Sequence, residues 1–245
     1  MKRCKVAVAQ IKVGNLNSNI KTIKKFIKKA RKKQADIVVF PETCVYVHPS
    51  EKPSNFSKYL KEITEECKNN SIWCIFTSYT LSKDKKYNTA FLINRKGEII
   101  YKYNKKHPWI SETKLVTPGK SIRIIETDEF GKIGIIICSD IGFPNDIKKM
   151  SKKGAWIIFC PSYDSIKWET PEIHKDLPLI RAYDNSCYFI VCDAFTKETI
   201  SISTIASPSK VLQRIIKKPG IVIQDLDYNK ILKLRNERKR KPIHE

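Results

Sequence analysis

Glycine and proline are scarce in this chain of 245 residues, at 8 and 12. That scarcity excludes a collagen-like, low-complexity or disordered protein. No apolar run approaches the roughly 20 residues of a membrane-spanning helix. The opening MKRCKVAVAQIKVG runs from two basic residues into an alternating strand, not into a signal-peptide core. A cytoplasmic protein without a membrane partner is therefore expected. No CxxC pair occurs, and His48, His107, His174 and His244 stand at no zinc-finger spacing. Neither a metal nor an organic cofactor is expected. Acidic residues are outnumbered, 25 against 47 basic ones, which leaves a net charge of +22.

What is present points to a buried core. Hydrophobic residues make up 41% of the chain and aromatics 10%, enough for one large domain, and no Gly/Ser-rich linker or internal repeat divides residues 1–245. The eight cysteines need no disulfide role at this length and are expected to be mostly reduced and buried. Cys187 and Cys192 lie five apart in a strand-like run, so their side chains point to opposite faces.

The positive charge admits a nucleic-acid or acidic protein partner. Its distribution argues otherwise. In NSNIKTIKKFIKKARKK, Ile20, Ile23, Phe26, Ile27 and Ala30 form one apolar stripe and lysines occupy the solvated remainder. Only residues 233–241, KLRNERKRK, form a dense basic cluster, and no aromatic residue is interleaved for base stacking. Specific nucleic-acid binding is not expected, although a binding module driven by charge stays as the non-enzymatic alternative.

Strand and helix patterns alternate at the start: KVAVAQI, the lysine-rich helix, DIVVFPE, a helix over about 57–70, and SIWCIFTSYTL. Hairpins follow, NTAFLIN with GEIIYKY and SIRIIET with KIGIIIC. Then come a helix near Pro144, the strand AWIIFC, a helix over 171–185, the strand CYFIVCDAF, two further strand pairs and a terminal helix. Nearly continuous apolar strands flanked by helices imply an α/β fold of sheets packed together and covered by helices, an α-β-β-α layered sandwich.

Reactive side chains stand at three strand ends, where α/β sheets expose functional groups. Glu42 follows Phe40-Pro41 at the end of a buried strand, where low polarity raises a carboxyl toward use as a general base. In YKYNKKHPW, Tyr103 and Lys105 share one face and Lys102, Asn104 and Lys106 the other, so only one set of lysines looks inward. Cys138 ends the strand GKIGIIIC before a turn into a helix, leaving the Ser139 backbone N–H free to face a ligand. It is either a small core residue or an activated nucleophile. Cys160 is a similar strand-end thiol, with no ionisable residue close in sequence to activate it.

Taken in order, these segments resemble the carbon–nitrogen hydrolase (nitrilase) superfamily over nearly the whole chain. The carriers are Phe40-Pro41-Glu42; Tyr103, Lys105 and His107; Cys138, Asp140, Phe143 and Pro144; and Tyr87-Asn88-Thr89. Glu112 ahead of Pro118-Gly119, residues 181–185 (RAYDN), and Ser203, Ile205 and Pro208 complete the series. Gly142 and Asn145 depart from the Arg and Glu that many amidase members carry, Ser139 is unusual after the cysteine, and a glycine after Pro208 is missing.

The resemblance selects Lys105 over Lys106 and implies an amidase-like hydrolase acting on a small non-peptide amide or N-carbamoyl compound. Cys138 would be the nucleophile passing through a thioester, Glu42 the base, Lys105 with the Ser139 N–H the oxyanion holder, and Glu112 the auxiliary carboxylate. Nitrile hydrolysis or acyl transfer by the same residues is the enzymatic alternative. Tyr46, Trp109, Phe143, Ser162 and Tyr163, each a few residues past a strand, are candidates for the pocket wall. The likeness also implies a homodimer or larger homo-oligomer.

Overall fold

The computed structural model describes residues 2–167 and 170–240, with side chains placed as far as Arg238. The opening alternation folds as β1 (Arg3–Gln10), α1 (Leu16–Lys32), β2 (Ile37–Val39), α2 (Phe56–Asn69) and β3 (Trp73–Ser82). The run continues in hairpins through β4 (Lys85–Ile93) and β5 (Ile99–Asn104), then β6 (Ile124–Thr127) and β7 (Gly131–Ile135). A 3₁₀ turn (Cys138–Gly142) leads into α3 (Pro144–Lys152), β8 (Ile157–Ser162), α4 (Pro171–Asn185) and β9 (Tyr188–Asp193). The chain then runs through β10 (Ile202–Ala206), β11 (Val211–Ile216), β12 (Gly220–Asp227) and α5 (Tyr228–Arg240).

Two six-stranded sheets result, in the orders β12-β1-β2-β3-β4-β5 and β11-β10-β9-β8-β7-β6. In each, three parallel strands (β1, β2, β3 and β7, β8, β9) form the middle, and antiparallel partners extend it outward. Strand alternation separates the core into layers. Val6, Val8, Ile37, Val39 and Ile75 face Ile133, Ile135, Ile157, Phe159 and Ile190 between the sheets. The intervening Ala7, Ala9, Val38, Cys74 and Phe76 pack on Ile20, Ile23, Ile27, Ala30 and Ile63 of α1 and α2. Ile158, Cys160 and Phe189 meet Ile147, Met150 and Ala182 of α3 and α4. This is the α-β-β-α sandwich. Cys187 packs under the helices and Cys192 between the sheets, on opposite faces.

The helix stripe behaves as its period requires: Ile20, Ile23, Ile27 and Ala30 of α1 are buried, Asn15 caps the helix by accepting from Ser18 N, and Lys29, Arg31 and Lys32 close its last turn. The two late strand pairs are a correction. β10 and β11 do pair, but β12 leaves their sheet and pairs antiparallel with β1 along its whole length. Buried Ser203 of β10 ties the second sheet to the first, accepting from Asp193 N of β9 and donating to Gln10 Oε1 of β1 at 2.7 Å.

The basic cluster at 233–241 falls on α5, with its last residue outside the described residues. Arg235 donates to Ala155 O at 2.6 Å and Ser186 O at 3.0 Å, and Arg238 lies 4.5 Å over the Tyr183 ring. These two arginines fasten the terminal helix rather than present a free basic face. Among the described residues no helix is long and apolar enough to cross a membrane.

Ile157 is fully buried between the sheets at the start of β8. Ile157→Ala should cost about 2–5 kcal/mol, the range for emptying a packed core position. Urea unfolding should show a lowered midpoint with an unchanged slope.

Candidate active site

The ends of β2, β5 and β7 converge between the sheets. Beyond β2, Phe40 N donates to Ile75 O, and Glu42 N reaches across to Ser162 O at 3.1 Å. The chain then turns sharply at Thr43 (φ +47°), whose N–H donates to Thr77 Oγ1. The Glu42 side chain is thereby turned inward, 4% exposed. Just past β5, Lys105 N donates to Asn88 O and Lys105 O accepts from Gly119 N, both at 2.8 Å. Gly119 is obligatory for this clamp, since a Cβ there would lie 2.0 Å from Asn104 O. Held on both sides, the Lys105 side chain is 1% exposed.

A buried ammonium is stable only where carboxylates surround it. Lys105 Nζ donates to Glu42 Oε1 at 2.7 Å and to Glu112 Oε2 at 2.6 Å. The Asn88 amide donates one N–H to each carboxylate, at 2.8 Å to Glu42 and 2.9 Å to Glu112, which leaves Asn88 Oδ1 buried without a partner. Tyr79 OH at 2.9 Å and Trp109 N at 2.9 Å complete the shell of Glu112.

These environments separate the two acids. Burial pushes the Glu42 carboxyl up to about 6, with Lys105 pulling against it and Glu112 adding to it. Burial acts in the same direction on Glu112, but Lys105 and the N–H donors of Trp109 and Asn88 outweigh it and hold that group below the ordinary range. Desolvation works against the Lys105 charge, yet Glu42, Cys138 and Glu112 together hold it well above the usual lysine range.

Cys138 opens the 3₁₀ turn in a left-handed conformation (φ +44°), a placement costing about 1–3 kcal/mol for a residue with a side chain. Asp140 holds the turn in place. Its Oδ2 accepts from Ile137 N at 3.0 Å and Tyr103 OH at 2.7 Å, and its Oδ1 from His107 N at 2.9 Å. Arg181 Nε donates to Ile141 O at 2.9 Å from α4, and Ser139 Oγ donates to His107 O at 2.5 Å. Ser139 N lies in the first turn of the 3₁₀ helix, where backbone N–H groups have no partner within the helix. Burial, with Glu42 and then Asp164 beside it, pushes the Cys138 thiol well up, while Lys105 acts in the opposite direction. Cys138 is the one cysteine only partly buried; the other seven are core.

A cavity of about 320 Å³ opens on these groups, within the range of small-molecule sites. Glu42, Lys105, Glu112 and Cys138 all line it, as do Trp109 and Tyr163. The other three wall candidates are corrected. Tyr46 is buried in the helix-side core with its ring edge on Tyr59. Phe143 is 43% exposed and stacks on the His107 ring with centroids 3.4 Å apart. Ser162 is buried, its hydroxyl near Cys160 Sγ and its carbonyl occupied by Glu42 N.

Two site residues escaped the sequence reading. The Cys138 thiol donates to Asp164 Oδ1 at 3.5 Å, and Asp164 Oδ2 lies 3.0 Å from His174 Nδ1. Asp164 stands two residues past β8, the same strand-end position that singled out Glu42, so the same rule could have found it. It also lies four residues from Cys160, whose sequence neighbourhood is thus not free of ionisable groups.

A family model described as carbon-nitrogen hydrolase matches residues 5–236. The chain belongs to this family. A Bacillus subtilis 2-oxoglutaramate amidase is 28% identical over 243 residues, spanning 92% of this chain and 90% of the relative. The crystal structure of Saccharomyces cerevisiae Nit3, a member of branch 10 of the nitrilase superfamily, superposes with a TM-score of 0.87 at 25% identity, over 100% of this chain and 96% of that one. A glutamate-to-leucine mutant of the amidase from Nesterenkonia sp. AN1 shares the fold, with a TM-score of 0.84 at 17% identity over 97% and 96% of the two chains. It shows covalent addition of the acetamide moiety of fluoroacetamide at its active site cysteine. The protein is an amidase-type carbon–nitrogen hydrolase of the nitrilase superfamily.

Asn88 screens the two acids from one another. Asn88→Ala removes a donor from both, which favours protonation of Glu42. The acid limb of the kcat/KM profile for a turned-over amide should move to higher pH by about one unit or more, since loss of a charge-assisted hydrogen bond is worth about 1.5 kcal/mol or more. An unmoved limb would show that Asn88 does not tune the pair.

Proposed function

We propose that Cys138 attacks the carbonyl of a small amide or N-carbamoyl compound while Glu42 takes the thiol proton. The observation that carries this reading is the Lys105 ammonium, fixed at 2.7 and 2.6 Å from Glu42 and Glu112 in a cavity that Cys138 also lines. The thiolate forms a C–S bond, and the carbonyl oxygen takes up negative charge against Lys105 and the Ser139 N–H. Collapse of this adduct breaks the C–N bond, and Glu42 returns its proton to the leaving ammonia. Water, deprotonated by Glu42, then attacks the thioester and releases the acid and the thiol. Glu112 keeps Lys105 in place through both halves.

A thiol with a high pKa is a poor nucleophile unless a base is already beside it. A carboxylate raised to about 6 is such a base, closer to neutrality than an ordinary glutamate and still ionised at pH 7. The cysteine adduct in the Nesterenkonia amidase supports the same choice of nucleophile. The reading extends to a homo-oligomer, supported by the family likeness and by Ile173, Ile180 and Tyr183 exposed along α4.

Ammonia release from a panel of small amides, carbamoyl compounds and nitriles tests the chemistry. Cys138→Ala should fold as wild type by circular dichroism and lose at least about a thousandfold in kcat, the scale for removing a covalent nucleophile. Activity retained by this variant would overturn the assignment. In wild type, kcat/KM should rise about tenfold per pH unit up to about 6 and then level. Glu42 must be ionised to act as a base, and its ionised fraction falls tenfold per unit below its pKa.

A further inference from the structure

The hydrolysis above uses Glu42, Lys105, Glu112 and Cys138 and has no task for Asp164. Yet Asp164 is built into the cavity wall with care. Its N–H donates to Asp193 Oδ1 at 3.1 Å, its carbonyl accepts from Ile200 N at 2.8 Å, and His174 from the first turns of α4 holds one carboxylate oxygen at 3.0 Å. The other oxygen lies 3.5 Å from the nucleophilic sulfur, and the side chain is 5% exposed.

A negative charge there opposes thiolate formation, so in the empty site it hinders the reaction. It is useful only when a substrate brings a group that neutralises it. The rest of the cavity has the same polarity. Glu42, Glu112, Asp164 and Glu198 line it against Lys105, with His48 also on the wall. Lys105 is already shared between Glu42 and Glu112, which leaves those three groups with one excess negative charge. A chain of net charge +22 thus encloses an acidic pocket.

We propose that Asp164, positioned by His174, recognises an ammonium or comparable multiple N–H donor on the acyl chain, so that the preferred substrate is a short amide bearing a cationic group. This rests on the hydrolysis reading above and names the substrate class for the same site. The cationic group sits on the Asp164 carboxylate when the amide carbonyl is at Cys138 Sγ, and its charge offsets the repulsion that Asp164 imposes on the forming thiolate. Recognition and activation of the nucleophile are then one event. An anionic amide, such as the 2-oxoglutaramate in the name of the Bacillus relative, meets like charge at the same wall.

Three probes that carry different end groups on the same two-methylene chain separate the possibilities: β-alaninamide (cationic), butyramide (neutral) and succinamate (anionic). Wild type at pH 7 should show kcat/KM for β-alaninamide about tenfold above butyramide and about a hundredfold above succinamate, the scale of one and two close charge interactions. Asp164→Asn should compress the β-alaninamide to succinamate ratio by at least about tenfold, whatever its effect on butyramide. The wild-type ranking decides the matter even if that variant does not fold. Equal or better turnover of succinamate, or a ratio unmoved by Asp164→Asn, overturns the inference while butyramide turnover leaves hydrolysis standing. No turnover of any of the three by folded wild type counts against hydrolysis of simple amides and takes the inference with it.

Discussion

The arrangement of the site depends on one buried ammonium. Lys105 has almost no contact with solvent, and an isolated charge so placed would cost several kcal/mol. Two carboxylates within 2.7 Å offset that cost but bring a surplus negative charge of their own. The surplus is in turn spread over donors: the Asn88 amide, the Tyr79 hydroxyl and the Trp109 N–H. Each belongs to a different stretch of chain, so the ends of β2 and β5, the paired Tyr79 and Asn88 of β3 and β4, and the loop carrying Glu112 must all meet at one point. The convergence of strand ends is therefore an electrostatic requirement as much as a topological one.

Cys138 is subject to a second constraint, from the backbone. Its left-handed conformation persists only because neighbouring groups over-determine it, above all the Asp140 carboxylate, which three donors from separate segments engage. Tyr103 is common to both constraints. It lies on β5 two residues before Lys105, and its hydroxyl bonds to Asp140. The strand that places the cation thus also fixes the turn carrying Cys138, together with the His107 N–H on Asp140 and the Ser139 hydroxyl on His107 O.

How much of this was legible follows from where each signal lies. Glu42 and Cys138 each end an apolar run, a local pattern, whereas strand alternation only set Lys105 and Lys106 on opposite faces and family likeness chose between them; the layered sandwich follows from strands that are apolar on both faces. Glu112 sits in a loop whose local sequence has no such mark; only likeness to a family pointed to it. The path of β12 was not legible, because pairing with β1 is chosen by partners more than two hundred residues apart in sequence. Distance past a strand does not define a pocket wall, because it ignores direction. Tyr46 turns toward Tyr59, Phe143 turns out onto His107, and Asp164, one residue beyond Tyr163, turns in.

The charge of the chain illustrates why composition is a poor guide to a site. The basic excess resides on surfaces such as α1, whose Lys24 and Lys28 pair with Glu62 and Glu66 of α2, and on α5, where Arg235 serves as a fastener. None of these surface groups lines the cavity at Cys138. Between exposed charges, attraction fades over about 10 Å at moderate salt, whereas groups in the cavity act on one another at hydrogen-bond distance with little water between them. What a bound substrate meets first is therefore the local set, Glu42, Lys105, Glu112 and Asp164, in which carboxylates outnumber the one lysine. Long-range steering and final recognition can then have opposite sign in the same molecule. Selectivity in this hydrolase follows from the few groups whose water has been removed.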